Sequence, residues 1–191
     1  MPAECDVETA SGPCGVLAVG RCSTCGRAFC GSHRALSFAD WCEPCRRARL
    51  AATAAEGAQR EADRADAFAD VARAARALAE RGVPAEEIVH REPVWGRNLL
   101  GRGRWRHVER PTGIRAWRAC AVEVERFGKT HPKHDSEWIR ETWEAWVDTE
   151  GHVRLRKDGA GWVPIEDRAN VRVDDLTATL RTVAASLRSL Q

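Results

Sequence analysis

The chain has 191 residues, 30 Lys+Arg against 28 Asp+Glu, and a formal net charge of +2. That is room for one small module and one ordinary domain, and the near-neutral charge gives no bulk attraction to nucleic acid or to an anionic membrane. No run of 18 or more apolar residues occurs, which excludes a membrane-spanning helix.

The N-terminal quarter is dominated by soft metal ligands. Cys5, Cys14, Cys22, Cys25, Cys30, His33, Cys42 and Cys45 take up seven of the eight cysteines within the first 45 residues. Three of the pairs, Cys22-x2-Cys25, Cys30-x2-His33 and Cys42-x2-Cys45, have the spacing that puts two ligands on one tetrahedral ion, so eight ligands predict two closed zinc sites. A disulfide framework is the competing reading and calls for a secreted chain. The first residues, Met1-Pro-Ala-Glu-Cys-Asp, lack the basic and apolar pattern of a leader, so the expectation is a reducing cytoplasm and zinc.

Val16 to Val19 is β-prone and leads into Cys22-Ser-Thr-Cys25-Gly26, where Gly26 can take the positive φ of a metal knuckle, with Arg27 to Cys30 as the returning strand. Pro44 suits a first helical turn, in which Cys42 and Cys45 share a face. Of the two groupings, the interleaved one joins Cys22 and Cys25 to Cys42 and Cys45, and Cys5 and Cys14 to Cys30 and His33. It is preferred because it crosslinks a segment too small to bury a core.

This ligand pattern, closest in the stretch GRCSTCGRAFCGSH, resembles a B-box-type (treble-clef, cross-brace) zinc finger over residues 5–45. Two departures stand out: eight residues separate Cys5 from Cys14 where the family usually has two, and Cys42-x2-Cys45 stands where many B-boxes use histidines. The resemblance implies protein interaction or self-association through a structural module without catalytic residues. Fully ligated zinc has no open position for catalysis, and an enzyme is not expected.

Residues 46–81 read as one helix rich in Ala and Arg, with Phe68, Val71, Ala72, Ala75, Leu78 and Ala79 at helical spacing and Gly57 inside it. It serves either as a coiled coil that makes a homodimer or as a helix laid on the following domain. Residues 82–191 hold seven of the eight tryptophans. Ile114, Ala116, Cys120, Val122 and Val124 alternate as one face of a strand, interrupted by Arg118. Trp143 to Arg156 predicts a hairpin turning at Asp148-Thr-Glu-Gly151, with strand from about Glu141, although Trp138, Ile139, Thr142, Trp143 and Trp146 also fit a helix. Lys157 to Gly161 predicts a turn, and Asp174 is placed as the cap of an amphipathic helix carrying Leu176, Leu180, Val183, Leu187 and Leu190.

The fold class is therefore α+β: a two-zinc finger (1–45), a helical linker or coiled coil (46–81), and a Trp-rich antiparallel sheet domain with a C-terminal helix (82–191). The functional expectation is a cytoplasmic zinc-binding adaptor for a protein partner of unknown identity. The alternative is a nucleic-acid-binding regulator using Arg97, Arg102, Arg104, Arg106, Arg110, Arg115 and Arg118 with Trp95, Trp105 and Trp117. The competing account of those arginines is cross-strand pairing with Glu123, Glu125, Glu137, Glu141 and Glu144. His131 and His134 are expected in a solvated loop, and Cys120 as a structural thiol.

Overall fold

The computed structural model describes residues 3–38, 40–97, 101–157, 161–166 and 171–190. The chain forms two compact units, Met1–Ala62 and Asp63–Gln191, and its architecture is α+β. Each unit is held together by different means.

The first unit contains two minimal hairpins, β1 (Glu8–Thr9) with β2 (Gly12–Pro13) and β3 (Gly20–Arg21) with β4 (Ala28–Phe29), then a 3-10 turn at Gly31–His33 and the start of helix α1 (Glu43–Glu80). The strand expected at Val16 to Val19 is displaced: Leu17 makes only an isolated bridge to Glu4, and pairing proper starts at Gly20. A side chain at Gly20 would sit 3.1 Å from the Phe29 ring, so a glycine there lets Phe29 pack under the hairpin.

Helix α1 starts at Glu43, which puts Pro44 in its first turn as the sequence indicates but leaves Cys42 just before it, and Glu43 fixes that turn by pairing with Arg46 (2.6 Å) and Arg47 (3.0 Å). Alanine and arginine carry it through Gly57. It ends in a Schellman motif: Val83 N–H donates to Leu78 C=O, Gly82 N–H donates to Ala79 C=O, and Gly82 has φ 71°.

The second unit is one antiparallel sheet with helices against it. Strands β5 (Glu86–Arg97), β6 (Gly103–Gly128), β7 (Glu137–Asp148), β8 (Val153–Arg156), β9 (Val163–Pro164) and β10 (Val171–Arg172) take the order β10-β6-β7-β8-β9, with β5 also paired to β6. Segment 137–148 is strand throughout, which settles the helix-or-strand ambiguity: Trp143, Ala145 and Val147 enter the main core while Trp146 joins a cluster with Ile88 and Ala116. The β7–β8 turn falls where the sequence places it. Buried Asp148 accepts from the backbone of Glu150 (3.0 Å) and His152 (2.9 Å) and from Arg154 (3.2 Å). The turn expected at 158–160 lies outside the described residues.

The main core joins Val71, Ala74, Ala75 and Leu78 of α1 to Val122, Val124, Trp143, Val153 and Leu155 of the sheet. Leu176, Leu180, Val183 and Leu187 of helix α2 (Leu176–Ser189) complete it. Three expectations are corrected. Ala79 is exposed, one position past the buried stripe of α1. The cap of α2 is Asp175, whose carboxylate accepts from Ala178 N–H at 2.9 Å, because the helix starts at Leu176; Asp174 instead pairs with Arg140 (3.3 Å).

The third concerns the strand around Arg118. Ile114 and Ala116 do not share a face with Cys120, Val122 and Val124, because a bulge between Arg118 and Cys120 adds one residue and reverses the alternation. Ile114 and Ala116 therefore pack with Trp146, while Trp117, Cys120, Val122 and Val124 face the helices.

Candidate metal centre

Each local turn in the first unit presents one pair of ligands. The eight residues between Cys5 and Cys14 are the β1–β2 hairpin: Cys14 N–H donates to Val7 C=O (3.0 Å) and Gly15 N–H to Cys5 C=O (3.4 Å), which sets the two thiols side by side. The long spacing is thus a hairpin in the role of a two-residue knuckle. Asp6 ties this hairpin to the next, its carboxylate accepting from Ala28 N–H at 3.0 Å and its own N–H donating to Ala28 C=O at 2.9 Å.

Cys22 and Cys25 lie on a knuckle closed by Gly26 N–H to Cys22 C=O (2.8 Å), and Gly26 takes φ 72°, the conformation the sequence assigns to it. Cys30 and His33 bracket the 3-10 turn, with His33 N–H donating to Cys30 C=O (3.1 Å). Cys42 bridges to Arg34 just before α1, and Cys45 stands in the first turn of that helix.

These pairs gather into two groups, Cys5, Cys14, Cys30 and His33, and Cys22, Cys25, Cys42 and Cys45; within each, the ligand atoms all lie within 4.8 Å of one another. The grouping is the interleaved one. Each group could hold one metal ion. Cys14 and Cys30 sulfurs are 3.9 Å apart and those of Cys25 and Cys42 3.8 Å, while His33 Nδ1 lies 3.4 Å from Cys5 Sγ and 3.5 Å from Cys30 Sγ.

Around a tetrahedral zinc ion with bonds of about 2.3 Å to sulfur and about 2.0 Å to nitrogen, the edges are about 3.8 Å for S···S and about 3.5 Å for S···N. The residues present fit the ion in both size and donor type. All eight cysteines are free, and these sulfur separations are nearly double a disulfide bond of about 2.05 Å. Facing Cys5 and Cys30, Nδ1 is the histidine atom positioned to ligate.

The electrostatics prepare part of each group for a cation. Burial opposes ionisation of Cys22, but the backbone N–H groups of Cys42, Cys25 and Thr24 outweigh it and lower the thiol to about 6. Cys30 is likewise brought down to about 7 against its burial by the N–H groups of His33 and Ser32. Burial and the neighbouring thiols push Cys45 up to about 12, since crowded sulfurs cannot all carry charge without a cation between them.

Among the described residues the first unit has little other core. Its buried cluster is Cys5, Val7, Cys22, Phe29, Cys30 and Cys42, so four of six members are ligands and Phe29 is the one large apolar side chain. Sequence reasoning missed the surface around these sites. Leu36 is fully exposed, Phe38 is exposed and stacks on Trp41 at 5.0 Å, and Trp41 lines an open groove with Thr24, Cys45, Ala48 and Arg49. Three large apolar residues in the short segment between His33 and Cys42 were the available signal.

The other candidates are placed apart from both groups. His131 and His134 are exposed with rings 5.5 Å apart, and among the described residues no third ligand joins them. Cys120 is half-buried on β6, its thiol pushed up by burial. Of the Arg/Trp stretch, Trp117 is in the core, Arg110 pairs with Glu92 (3.1 Å), Arg115 donates to Ala85 C=O (2.9 Å) and Arg118 pairs with Glu144 (2.9 Å). Among the described residues no helix is long and apolar enough to cross a membrane. Comparison with family models, with curated proteins and with solved structures gives no match, so the likeness to B-boxes is one of ligand pattern over residues 5–45.

Proposed function

We propose that the protein is a non-catalytic, zinc-stabilised adaptor whose N-terminal B-box-like finger presents a surface to a protein partner in the cytoplasm. The observation that carries this reading is the pair of four-ligand groups, each with its ligand atoms within 4.8 Å of one another, in a unit whose buried cluster is made mainly of those ligands. Four protein donors leave no open coordination position, so the ion supplies folding free energy rather than Lewis-acid chemistry. Zinc suits a set of four thiolates, or of three thiolates and one imidazole, better than do metals that favour oxygen ligands.

The partner surface is assigned to Leu36, Phe38 and the Trp41 groove. Large apolar side chains held at the surface of a small unit are what a binding face requires. Self-association through 46–81 has less to work with, because Val71, Ala74, Ala75 and Leu78 are committed to the core of the second unit. What remains exposed is the alanine-rich first half and Leu50, which bury little area on a partner helix.

Affinity capture with the full chain, with and without chelator, tests the proposal. Zinc-dependent capture of a specific protein, lost in Leu36→Ser/Phe38→Ser while two zinc ions are retained, is the expected result. Capture that survives both chelation and the double substitution would place the binding surface elsewhere.

A further inference from the structure

Strands β5 and β6 pair from Glu86/Ala116 out to Arg97/Gly103, but β7 joins β6 only from Ala116 onward. The outer part of the pair is therefore a two-stranded ribbon. Gly103 to Pro111 are all exposed on β6, and residues 91–97 are exposed or half-buried on β5, so neither face is covered among the described residues. A bare ribbon of this kind is marginally stable and gains from a partner.

Its side chains have one chemistry. Between Val94 and Val108 there is no acidic residue, while Arg97, Arg102, Arg104 and Arg106 all fall there. The acids of the ribbon lie nearer the sheet, where Glu109 pairs with Arg91 (2.8 Å) and Glu92 with Arg110 (3.1 Å). Cross-strand pairing accounts for Arg91 and Arg110, and Arg97, Arg104 and Arg106 make the outer part a concentrated positive site.

Trp95 and Trp105 are cross-strand partners on one face, edge to face at 5.3 Å, and 55% and 64% exposed. The bare backbone of Gly103 makes room for the Trp95 ring, because a Cβ there would lie 2.2 Å from it. Along the open edge of β6, Arg104, Trp105 and Arg106 alternate between faces, so a chain lying on that edge meets an indole on one side and guanidinium groups on the other.

We propose that this ribbon is a second binding site, for single-stranded nucleic acid, with bases stacking on Trp95 and Trp105 and phosphates paired with Arg97, Arg104 and Arg106. The charge favours a polyanion, and the exposed rings favour unpaired bases, since a duplex hides the base faces that an indole would stack on. The site does not depend on what the zinc finger binds.

The test uses the full zinc-loaded chain and a fluorescein-labelled single strand of about 16 thymidines, in parallel with a duplex of equal length and anionic phospholipid vesicles. The expected result is single-strand binding with quenched tryptophan fluorescence, weakening about 20-fold between about 50 and about 200 mM salt for three phosphate contacts. Trp105→Ala should weaken it roughly 10-fold, and Arg104→Gln/Arg106→Gln should lower the log–log salt slope by about 1.4. Thermal melts confirm that the variants fold; should Trp105→Ala destabilise the sheet, the arginine pair carries the test. No binding at the lower salt, equal or tighter duplex binding, vesicle binding alone, or variants that bind like the parent would each overturn the proposal.

Discussion

Leu78→Ala distinguishes a helix built into the second unit from one free to form a coiled coil. Leu78 is fully buried in the core that α1 shares with the sheet and α2. Truncating a buried leucine removes its transfer free energy and leaves a cavity, at about 3 kcal/mol within a range of about 2–5. Alanine is at least as good a helix former as leucine, so none of the loss comes from helix propensity. For a domain of this size the loss lowers the melting temperature by roughly 10 °C. Seven of the eight tryptophans lie in this unit, so tryptophan fluorescence follows its unfolding. Leu50→Ala, at an exposed position of the same helix, is the control and should shift the midpoint little. A loss below about 1 kcal/mol for Leu78→Ala, or one that varies with protein concentration, would refute intramolecular packing.

Three further outcomes are expected. Gly151→Ala should cost about 2–4 kcal/mol, because its φ is +94° and the added Cβ would lie 2.7 Å from Cα and Cβ of Ala72, whereas Gly57→Ala, with open space around it, should stabilise the helix by up to about 1 kcal/mol; a Gly151→Ala melt like the parent's refutes the contact. Burial works against ionisation of Glu141, but Arg126 (3.0 Å), Lys157 (2.6 Å) and the Trp143 indole N–H outweigh it and lower the carboxyl to about 2 from 4.5. A lowered folded value means the stabilisation is present above about pH 4.5 and disappears as pH falls towards 2, so Glu141→Gln should cost about 1–2 kcal/mol at neutral pH and nothing near pH 2, and a deficit constant with pH in denaturant titrations would count against the cluster. Cys25→Ser should melt the finger, read by hydrogen exchange at Cys22 to Cys30, and leave the tryptophan-monitored transition of the second unit in place; loss of both transitions together would show that the two units fold as one.

Features whose chemistry repeats at a fixed interval could be read from the chain. The ligand pairs imposed their own interleaving, because only that grouping ties a segment with one buried phenylalanine into a single structure. The stripe Val71, Ala75, Leu78 and the hairpin through Asp148 and Gly151 followed from period and turn chemistry. The strand through Arg118 misled for a definite reason: a bulge is one residue of backbone with no side-chain signature, yet it moves Ile114 and Ala116 to the opposite face from Val122.

The β5–β6 ribbon was hidden for the opposite reason. It is exposed on both faces, so no apolar alternation marks it, and Pro93, Gly96 and Gly103 read as loop rather than strand. The Arg/Trp composition drew notice to the stretch but did not separate its outer part, free of acids from 94 to 108, from Trp117 and Arg118, which belong to the packed sheet. The apolar side chains of Leu36 and Phe38 look like core material in sequence, and only the arrangement of the ligands leaves them outside.

Whether closed zinc sites hold the first unit together is decided by native mass spectrometry of the full chain, purified under reducing conditions without added metal. The expected spectrum carries a mass increment of two zinc ions per chain, lost on chelation together with the structure of the finger. A folded, reduced, metal-free finger, or a single ion per chain with both ligand groups intact, would contradict it.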